Sequence, residues 1–174
     1  KGVSYCATCD APLFAGKEVA VIGGGNSALD ATLQLTRIAK KAYLINNTAS
    51  LSGDAIMRSL IEANKKVSIF NNSTVREIFG DKMVKAIKIK SNGDEKILSV
   101  QGVFIEIGLI PNAKFAGILE KNKYGEIKVN SYNQTNVGGV FAAGDVTDVP
   151  EKQIIIAAGE GAKAALSAFR YLFT

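Results

Sequence analysis

The segment Gly23-Gly24-Gly25-Asn26-Ser27-Ala28 fits the pattern G-x-G-x-x-A, and its neighbours constrain the fold. Before it, Glu18-Val19-Ala20-Val21-Ile22 is a short apolar run rich in β-branched residues. Such a run reads as a buried parallel strand. After it, Ala28, Ala31, Leu35 and Ile38 recur at helical spacing, which predicts a helix opening at about Asn26. Ala42-Tyr43-Leu44-Ile45 is the next strand. Together these make a complete strand–glycine turn–helix–strand unit of ~30 residues, the signature of a dinucleotide-binding α/β fold. The glycines let the backbone turn sharply and approach a pyrophosphate. The helix start offers its N–H groups to the anion. The plain alternative is a tight turn with no ligand.

The pattern continues in kind. Residues 54–64 carry Ile56, Leu60 and Ala63 at helical spacing, with Ser52 or Asp54 as N-cap. Val67-Ser68-Ile69-Phe70 is a third short strand. From Thr74 to Val100 the pattern predicts an antiparallel meander, with Asn92-Gly93 as a hairpin turn. Val103-Phe104-Ile105-Glu106-Ile107-Gly108 predicts another buried strand. The expected fold is α/β: a Rossmann-like parallel sheet with an inserted antiparallel meander. A boundary is expected at Gly108-Leu109-Ile110-Pro111, dividing residues 1–108 from 109–174. Beyond it lie Gly125 to Val129, a polar stretch from Asn130 to Asn136, and Gly138 to Asp145. One helix is predicted from Gln153 to Leu172, with a small-residue stripe at Ala157, Gly161, Ala165 and Ala168 that implies a close neighbour. A tail of two or three strands and one helix in ~65 residues is a poor independent domain, so half a domain is expected. The chain starts at Lys1 rather than Met, which adds the expectation of a piece cut from a longer protein.

Composition narrows the chemistry. Apolar residues are 47% and charged residues 21% of 174, as in ordinary globular proteins. No run approaches the ~18–20 apolar residues of a membrane span, and the first residues carry no apolar signal-peptide core. The net charge of +5 is scattered, and Lys82, Lys85, Lys88 and Lys90 read as the solvated face of a strand. No nucleic-acid partner is expected. There is no His, which removes the commonest metal ligand and the commonest general base near neutral pH. Both cysteines fall in Cys6-Ala7-Thr8-Cys9. A structural zinc site needs about four Cys or His ligands, and no others exist, so no metal is expected. A secreted disulfide framework would not place its only two cysteines in so short a loop. A redox dithiol is the reading that fits, with two inert cysteines as the alternative. Asp10, next in line, offers a carboxyl group to protonate a leaving thiolate. Its plain alternative is a turn or cap residue before Pro12.

These motifs together resemble the low-molecular-weight thioredoxin reductases and the related flavoprotein components of alkyl hydroperoxide reductases. The matching segments run from Ser4-Tyr5-Cys6-Ala7-Thr8-Cys9-Asp10, through Val21 to Ala28, to Gly139-Val140-Phe141-Ala142-Ala143-Gly144-Asp145. The dithiol just before the nucleotide fingerprint is particular to that family. The resemblance implies that residues 109–174 are the carboxy-terminal part of a FAD-binding domain. It implies that Cys9 faces the flavin, that Cys6 attacks the partner's disulfide, and that Asp10 is the general acid. Gly23, Gly25, Asn26, Ser27 and Ala28 would form the pyridine-nucleotide turn. Gly144 and Asp145 would meet the FAD ribitol, and Gln153 and Ile154 the flavin ring. Asp145 read alone is a turn acid after a glycine.

Two departures from the family pattern shape the expectations. The amino-terminal glycine turn that holds the FAD pyrophosphate is absent, so the FAD site is expected to be incomplete in this chain. The apolar side of the last helix is expected to be exposed or covered by another chain. In addition, NADPH-using relatives place a His-Arg-Arg cluster after the second strand, where this chain has Asn46-Asn47-Thr48-Ala49-Ser50-Leu51-Ser52. The expected nucleotide is NADH or NADPH without the arginine pattern that NADPH use implies, which fits a weakly bound NADH with Asn46 as a neutral partner for the ribose; a ferredoxin or deazaflavin donor is the alternative. The expected activity is flavin-dependent disulfide reduction, with a thioredoxin-like partner, in a cytoplasmic homodimer. The competing readings are a nucleotide-binding module without turnover and a peroxiredoxin-reducing flavoprotein of the same fold.

Overall fold

The computed structural model describes residues 1–173. A two-residue strand, β1 (Val3–Ser4), leads into a short helix, α1 (Ala7–Asp10), and a 3-10 turn (Ala11–Phe14). Pro12 sits at the start of that turn, where its missing N–H removes no internal bond. Then come β2 (Glu18–Ile22), α2 (Asn26–Thr36), β3 (Lys41–Ile45), α3 (Ala55–Glu62) and β4 (Val67–Phe70). Asp54, not Ser52, is the N-cap of α3: its carboxylate accepts from the Ile56 and Met57 N–H groups at 2.9 and 3.1 Å. Three antiparallel strands follow, β5 (Ser73–Gly80), β6 (Val84–Ser91) and β7 (Asp94–Ser99), with Asn92-Gly93 as the β6–β7 turn. The last strand is β8 (Gly102–Ile105).

Five strands form a parallel sheet in the order β1-β8-β2-β3-β4, and the meander is a separate sheet, β5-β6-β7. Alternation along the central strands builds three layers. Val19, Val21, Leu44 and Phe104 face the helices, where they meet Leu29, Leu35, Ile61 and Phe14. Ala20, Ile45 and Val103 face the meander, where they meet Val84, Ile87 and Ile89. Strands covered on both faces read as unbroken apolar runs, which is why β2 and β8 lack polar alternation. Phe104 is fully buried and meets Phe14 edge-on at 5.1 Å between ring centres. Burial of a ring of that size contributes about 2–3 kcal/mol. Strand β8 ends at Ile105 rather than Gly108: the Glu106 N–H makes the last bond to β2, at the Ile22 carbonyl, and β2 then gives way to the glycine turn.

The chain divides into two compact units, Lys1–Gly108 and the residues from Leu109 onward. In the second unit the described residues form no extended strand. Single bridges join Lys121 to Ile127, Ile127 to Thr147, and Gln134 to Phe141. Side chains replace a sheet ladder there: Asn122 Oδ1 accepts from the Tyr124 and Glu126 N–H groups, and Asn130 Oδ1 from those of Tyr132 and Gln134. A small cluster of Ala113, Ala116 and Ile127 is the buried centre. Helix α4 (Ile154–Leu172) meets its unit through Ala157, which lies against Gly144, through Glu160, which accepts from the Asn133 amide, and through buried Ser167; of the predicted stripe, Gly161 and Ala165 are exposed. Ile154, Ile155, Leu166, Phe169, Leu172 and Phe173 are exposed. Among the described residues no helix is long and apolar enough to cross a membrane.

Candidate active site

Strand β8 lies between β1 and β2, and all three run parallel. Their carboxy-terminal ends therefore stand side by side. Cys6 to Asp10 follows β1, Glu106 to Gly108 follows β8, and the glycine turn follows β2. In open α/β sheets this edge is where ligands bind. A cavity of about 620 Å³ opens on it, and its walls include Gly23, Gly25, Asn26, Ser27, Asn46 and Glu106.

The turn is shaped by close approach. Gly23 has φ of +142°, and a Cβ there would lie 2.2 Å from the Glu106 carbonyl oxygen and 2.9 Å from the Ala28 Cβ. Ala28 is fully buried, which accounts for the small third position of the pattern. A Cβ on Gly24 would meet Asn46 Oδ1 at 2.2 Å. Helix α2 starts on Gly25, and no side chain caps it. Its first turn, with exposed Asn26 and Ser27, borders the cavity. An uncapped helix start beside a glycine turn fits a pyrophosphate. Asn26 also serves the fold, since its Oδ1 accepts from the Asp54 N–H at 2.7 Å and ties α2 to α3.

Asn46 is 2% exposed, and its amide is fully engaged. Nδ2 donates to the Thr48 carbonyl at 3.1 Å and to Asn71 Oδ1 at 2.9 Å. Oδ1 accepts from the Thr48 N–H and hydroxyl. An amide has two donors and two acceptor sites, so all four are used. Asn46 holds the loop that borders the cavity, and the groups it presents outward are those of Asn47, Thr48 and Ser52.

Cys6 and Cys9 form a disulfide. Cys6 is the N-cap of α1, and its Sγ accepts from the Cys9 N–H at 3.1 Å. A sulfur at a helix start, facing an N–H, is placed to carry negative charge. Buried Ser4 fixes the entry, its Oγ accepting from the Cys6 N–H at 3.1 Å and donating to the Cys6 carbonyl. Thr8 donates to Gln34 Oε1 at 3.3 Å, and Gln34 in turn donates to Asp30. Cys9 is exposed, Cys6 half-buried. Asp10 follows at the end of α1 and its carboxyl makes no capping bond to the 3-10 turn.

Glu106 is the site residue that sequence reasoning missed. Its only signal was one acid inside an apolar run. Glu106 lies in the cavity wall. Burial pushes its pKa up from the ordinary 4.5; the Ala7 N–H opposes this, and nearby Asp30 adds to it. A raised pKa in the folded state means that the folded chain favours the proton. The contribution to stability is then full below the ordinary value and is lost as pH rises through the raised one. Glu106→Gln is therefore expected to raise the melting temperature at neutral pH, with the gain vanishing by about pH 3.5. Thermal unfolding at both pH values measures this, and an equal gain at both contradicts it.

In the second unit, Gly144 leads a turn in which its carbonyl accepts from the Thr147 N–H at 3.0 Å. A Cβ on Gly144 would touch Ala157 at 3.3 Å, so this turn lies on the first turns of α4. Asp145 is exposed, Gln153 is the N-cap of α4 with no capping side-chain bond, and Ile154 is 88% exposed. An exposed carboxylate, an uncapped helix start and an apolar rim together suit a ligand with hydroxyl groups and a flat ring. Among the described residues, no three His, Cys, Asp or Glu side chains converge as metal ligands.

A glycine-turn cavity with a disulfide on the same sheet edge defines a nucleotide-linked disulfide oxidoreductase fold. The profile of the pyridine nucleotide-disulphide oxidoreductases matches residues 1–161, and the chain belongs to that family. Members of this family generally use FAD and NAD(P)H. The chain is 46% identical to an alkyl hydroperoxide reductase component of Escherichia coli, over 99% of this chain and 34% of that protein. It is 44% identical to an NADH dehydrogenase of Bacillus subtilis, again over 99% and 34%. It thus spans about a third of the length of these curated relatives. The solved thioredoxin reductase of Streptococcus pyogenes superimposes with a TM-score of 0.91 at 34% identity, covering 98% of this chain and 57% of that one.

Proposed function

We propose that this chain carries the nucleotide-binding and dithiol machinery of a flavin-dependent protein-disulfide reductase, which passes electrons from a reduced donor to Cys6–Cys9 and on to a thioredoxin-like protein. The observation that supports it most is the disulfide beside the glycine turn on one sheet edge. When bound, FAD supplies the two-electron relay between nucleotide and disulfide, and Gly144, Asp145, Gln153 and Ile154 are the residues that would hold it. Two electrons and two protons turn the disulfide into two thiols. Cys6, as the thiolate at the helix start, attacks the partner's disulfide; a mixed disulfide forms and one partner sulfur leaves. In this reading Asp10 gives that sulfur its proton. The Cys9 thiolate then attacks Cys6 Sγ, the internal disulfide reforms, and the second partner sulfur leaves and is protonated. The setting we propose is a cytoplasmic homodimer, since a dithiol that must cycle is at home in a reducing compartment.

The test supplies FAD, a reduced nucleotide and an oxidised thioredoxin, and counts thiols on both proteins. A Cys6–Cys9 disulfide that survives these conditions overturns the reading and leaves a nucleotide-binding module. The 46% identity to a hydroperoxide reductase component supports, as second reading, a peroxiredoxin as the protein reduced. Faster reduction of a peroxiredoxin than of thioredoxin decides for it.

NADH is the nucleotide we propose. The groups offered beyond β3, on Asn47, Thr48 and Ser52, include no cation for a 2′-phosphate. Charged hydrogen bonds are worth roughly 1.5–3 kcal/mol each, so forgoing two costs ~100-fold or more. Calorimetric titration is expected to show NADPH binding no better than NADH. A tenfold preference for NADPH contradicts this. Failure of both to bind points to a ferredoxin or deazaflavin donor.

A further inference from the structure

Strands β3 and β4 end side by side, with Ile45 paired to Phe70, so the residues that follow them, Asn46 and Asn71, are neighbours. Their amides meet: Asn46 Nδ2 donates to Asn71 Oδ1 at 2.9 Å. Around that contact the two chain segments are stitched together. The Asn46 N–H donates to the Phe70 carbonyl at 2.8 Å, the Ser73 N–H to the Asn46 carbonyl at 2.9 Å, and the Asn72 N–H to the Thr48 carbonyl at 2.9 Å. The Ser73 hydroxyl donates to the Asn71 carbonyl at 2.7 Å. Both segments are walls of the glycine-turn cavity, one through Asn46, Asn47 and Thr48, the other through Ser73, Thr74 and Val75, whereas Asn71 belongs to neither wall. Asn46 is 2% exposed and Ser73 1%, so water cannot replace these partners. A buried amide hydrogen is costly to leave without an acceptor, and Asn46 is therefore held where Asn71 is. On its other side Asn46 Oδ1 occupies the space that a Gly24 side chain would need and accepts from the Thr48 N–H and hydroxyl. An amide used in this way has no donor or acceptor left for a ribose.

We propose that Asn71, acting through Asn46, is a positioning residue for the adenosine half of the nucleotide: the amide pair fixes two walls of the cavity, and exposed Asn47 and Thr48, rather than Asn46, meet the ribose. This rests on the reading that the cavity takes NADH. In dinucleotide-binding folds an acid at this place, the end of the strand after the glycine-turn helix, holds the ribose directly. Here the residue at that place is turned inward, and its partner at the end of the next strand sets where the loop beyond it stands.

The full chain and its variants are titrated with NADH and with ADP-ribose by calorimetry, and their melting temperatures are recorded beside the dissociation constants. Asn71→Ala deprives one Asn46 amide hydrogen of its acceptor and is expected to weaken both ligands ~10-fold. Asn71→Asp restores an oxygen acceptor and is expected to recover binding to within ~3-fold of the parent. Asn46→Asp keeps an oxygen for Thr48 but loses both donated bonds and turns an acceptor toward the Thr48 carbonyl; it is expected to bind at least ~10-fold more weakly. A ribose ligand at position 46 would give the opposite result, since the acid would hold NADH as well as the amide does or better. The two Asp variants keep the side-chain shape and add the same charge to neighbouring residues, so their comparison stands whether or not the Ala variants fold. Asn46→Ala with Asn71→Ala is expected to bind no more weakly than Asn46→Ala alone, because Asn71 acts through Asn46. A pair that served stability alone would lower the melting temperatures and leave the dissociation constants of the folded variants unchanged. Unchanged affinity in Asn71→Ala, equal affinity in the two Asp variants, or losses that multiply in the double variant overturn the assignment and leave the NADH reading standing. A parent chain that binds neither NADH nor ADP-ribose overturns both.

Discussion

Cys9→Ser is expected to stop disulfide reduction and to trap the partner. With Cys9 replaced, Cys6 still attacks the partner's disulfide, but no thiolate remains to resolve the mixed disulfide. Turnover should fall by at least about 10³-fold, because the two sulfurs act as one unit and neither does half the work. A covalent adduct between this chain and a thioredoxin-like protein should accumulate and dissolve with dithiothreitol. Cys6→Ser should lose turnover equally and trap nothing. The difference follows from the geometry of α1: Cys6 is the N-cap sulfur that receives an N–H, whereas Cys9 is the residue whose N–H is given. Non-reducing gels and mass spectrometry read the result. Trapping by Cys6→Ser and not by Cys9→Ser would reverse the proposed roles of the two cysteines.

Gly23→Ala is expected to damage fold and site together. The added methyl group would stand 2.2 Å from the Glu106 carbonyl oxygen, a backbone atom that cannot swing away. The φ of +142° is closed to alanine in any case. Relief requires β2 and β8 to separate at their carboxy-terminal ends, where the Glu106 N–H bonds the Ile22 carbonyl. The cost should be about 3 kcal/mol or more in urea unfolding, with nucleotide affinity down at least ~100-fold. Gly25→Ala is the control. A Cβ there finds only Ser52 Oγ, at 3.9 Å, and φ is −92°. Its stability should stay within about 1 kcal/mol of the parent. If both variants unfold alike, the close approach at Gly23 is not what shapes the turn.

Much of the first unit was legible because its signals are local. A strand buried on both faces is an apolar run, an amphipathic helix repeats at 3.6 residues, and a two-residue hairpin needs Asn92-Gly93. Those rules place β2, β3 and β4 within a residue of their observed ends and the start of α2 at Asn26, and they place the meander. The paired cysteines beside the glycine turn announced redox chemistry through residue type and spacing alone. The second unit was less legible. Gly125 to Val129 looks like a strand, yet whether a segment extends into a ladder depends on its neighbours. Here Asn122 and Asn130 satisfy the nearby N–H groups instead.

The secondary elements of the first unit, the dithiol and the nucleotide turn follow from the order of the amino acids alone, since each depends on residues within a few positions of one another. What stands next to what is a property of the folded chain. Pairing of β1 with β8 joins residues a hundred positions apart, such as Ser4 and Phe104, and leaves no periodic trace in either segment. That pairing carries Glu106 to Gly23. The role of Asn46 was hidden for the same reason. Its type and place after β3 suit a ribose, but its four hydrogen-bonding positions are taken up by Thr48 and Asn71, one of them a neighbour in sequence and the other brought there by the fold. A buried amide goes to whichever partners the surrounding backbone holds within reach, and that depends on the folded chain rather than on the local sequence.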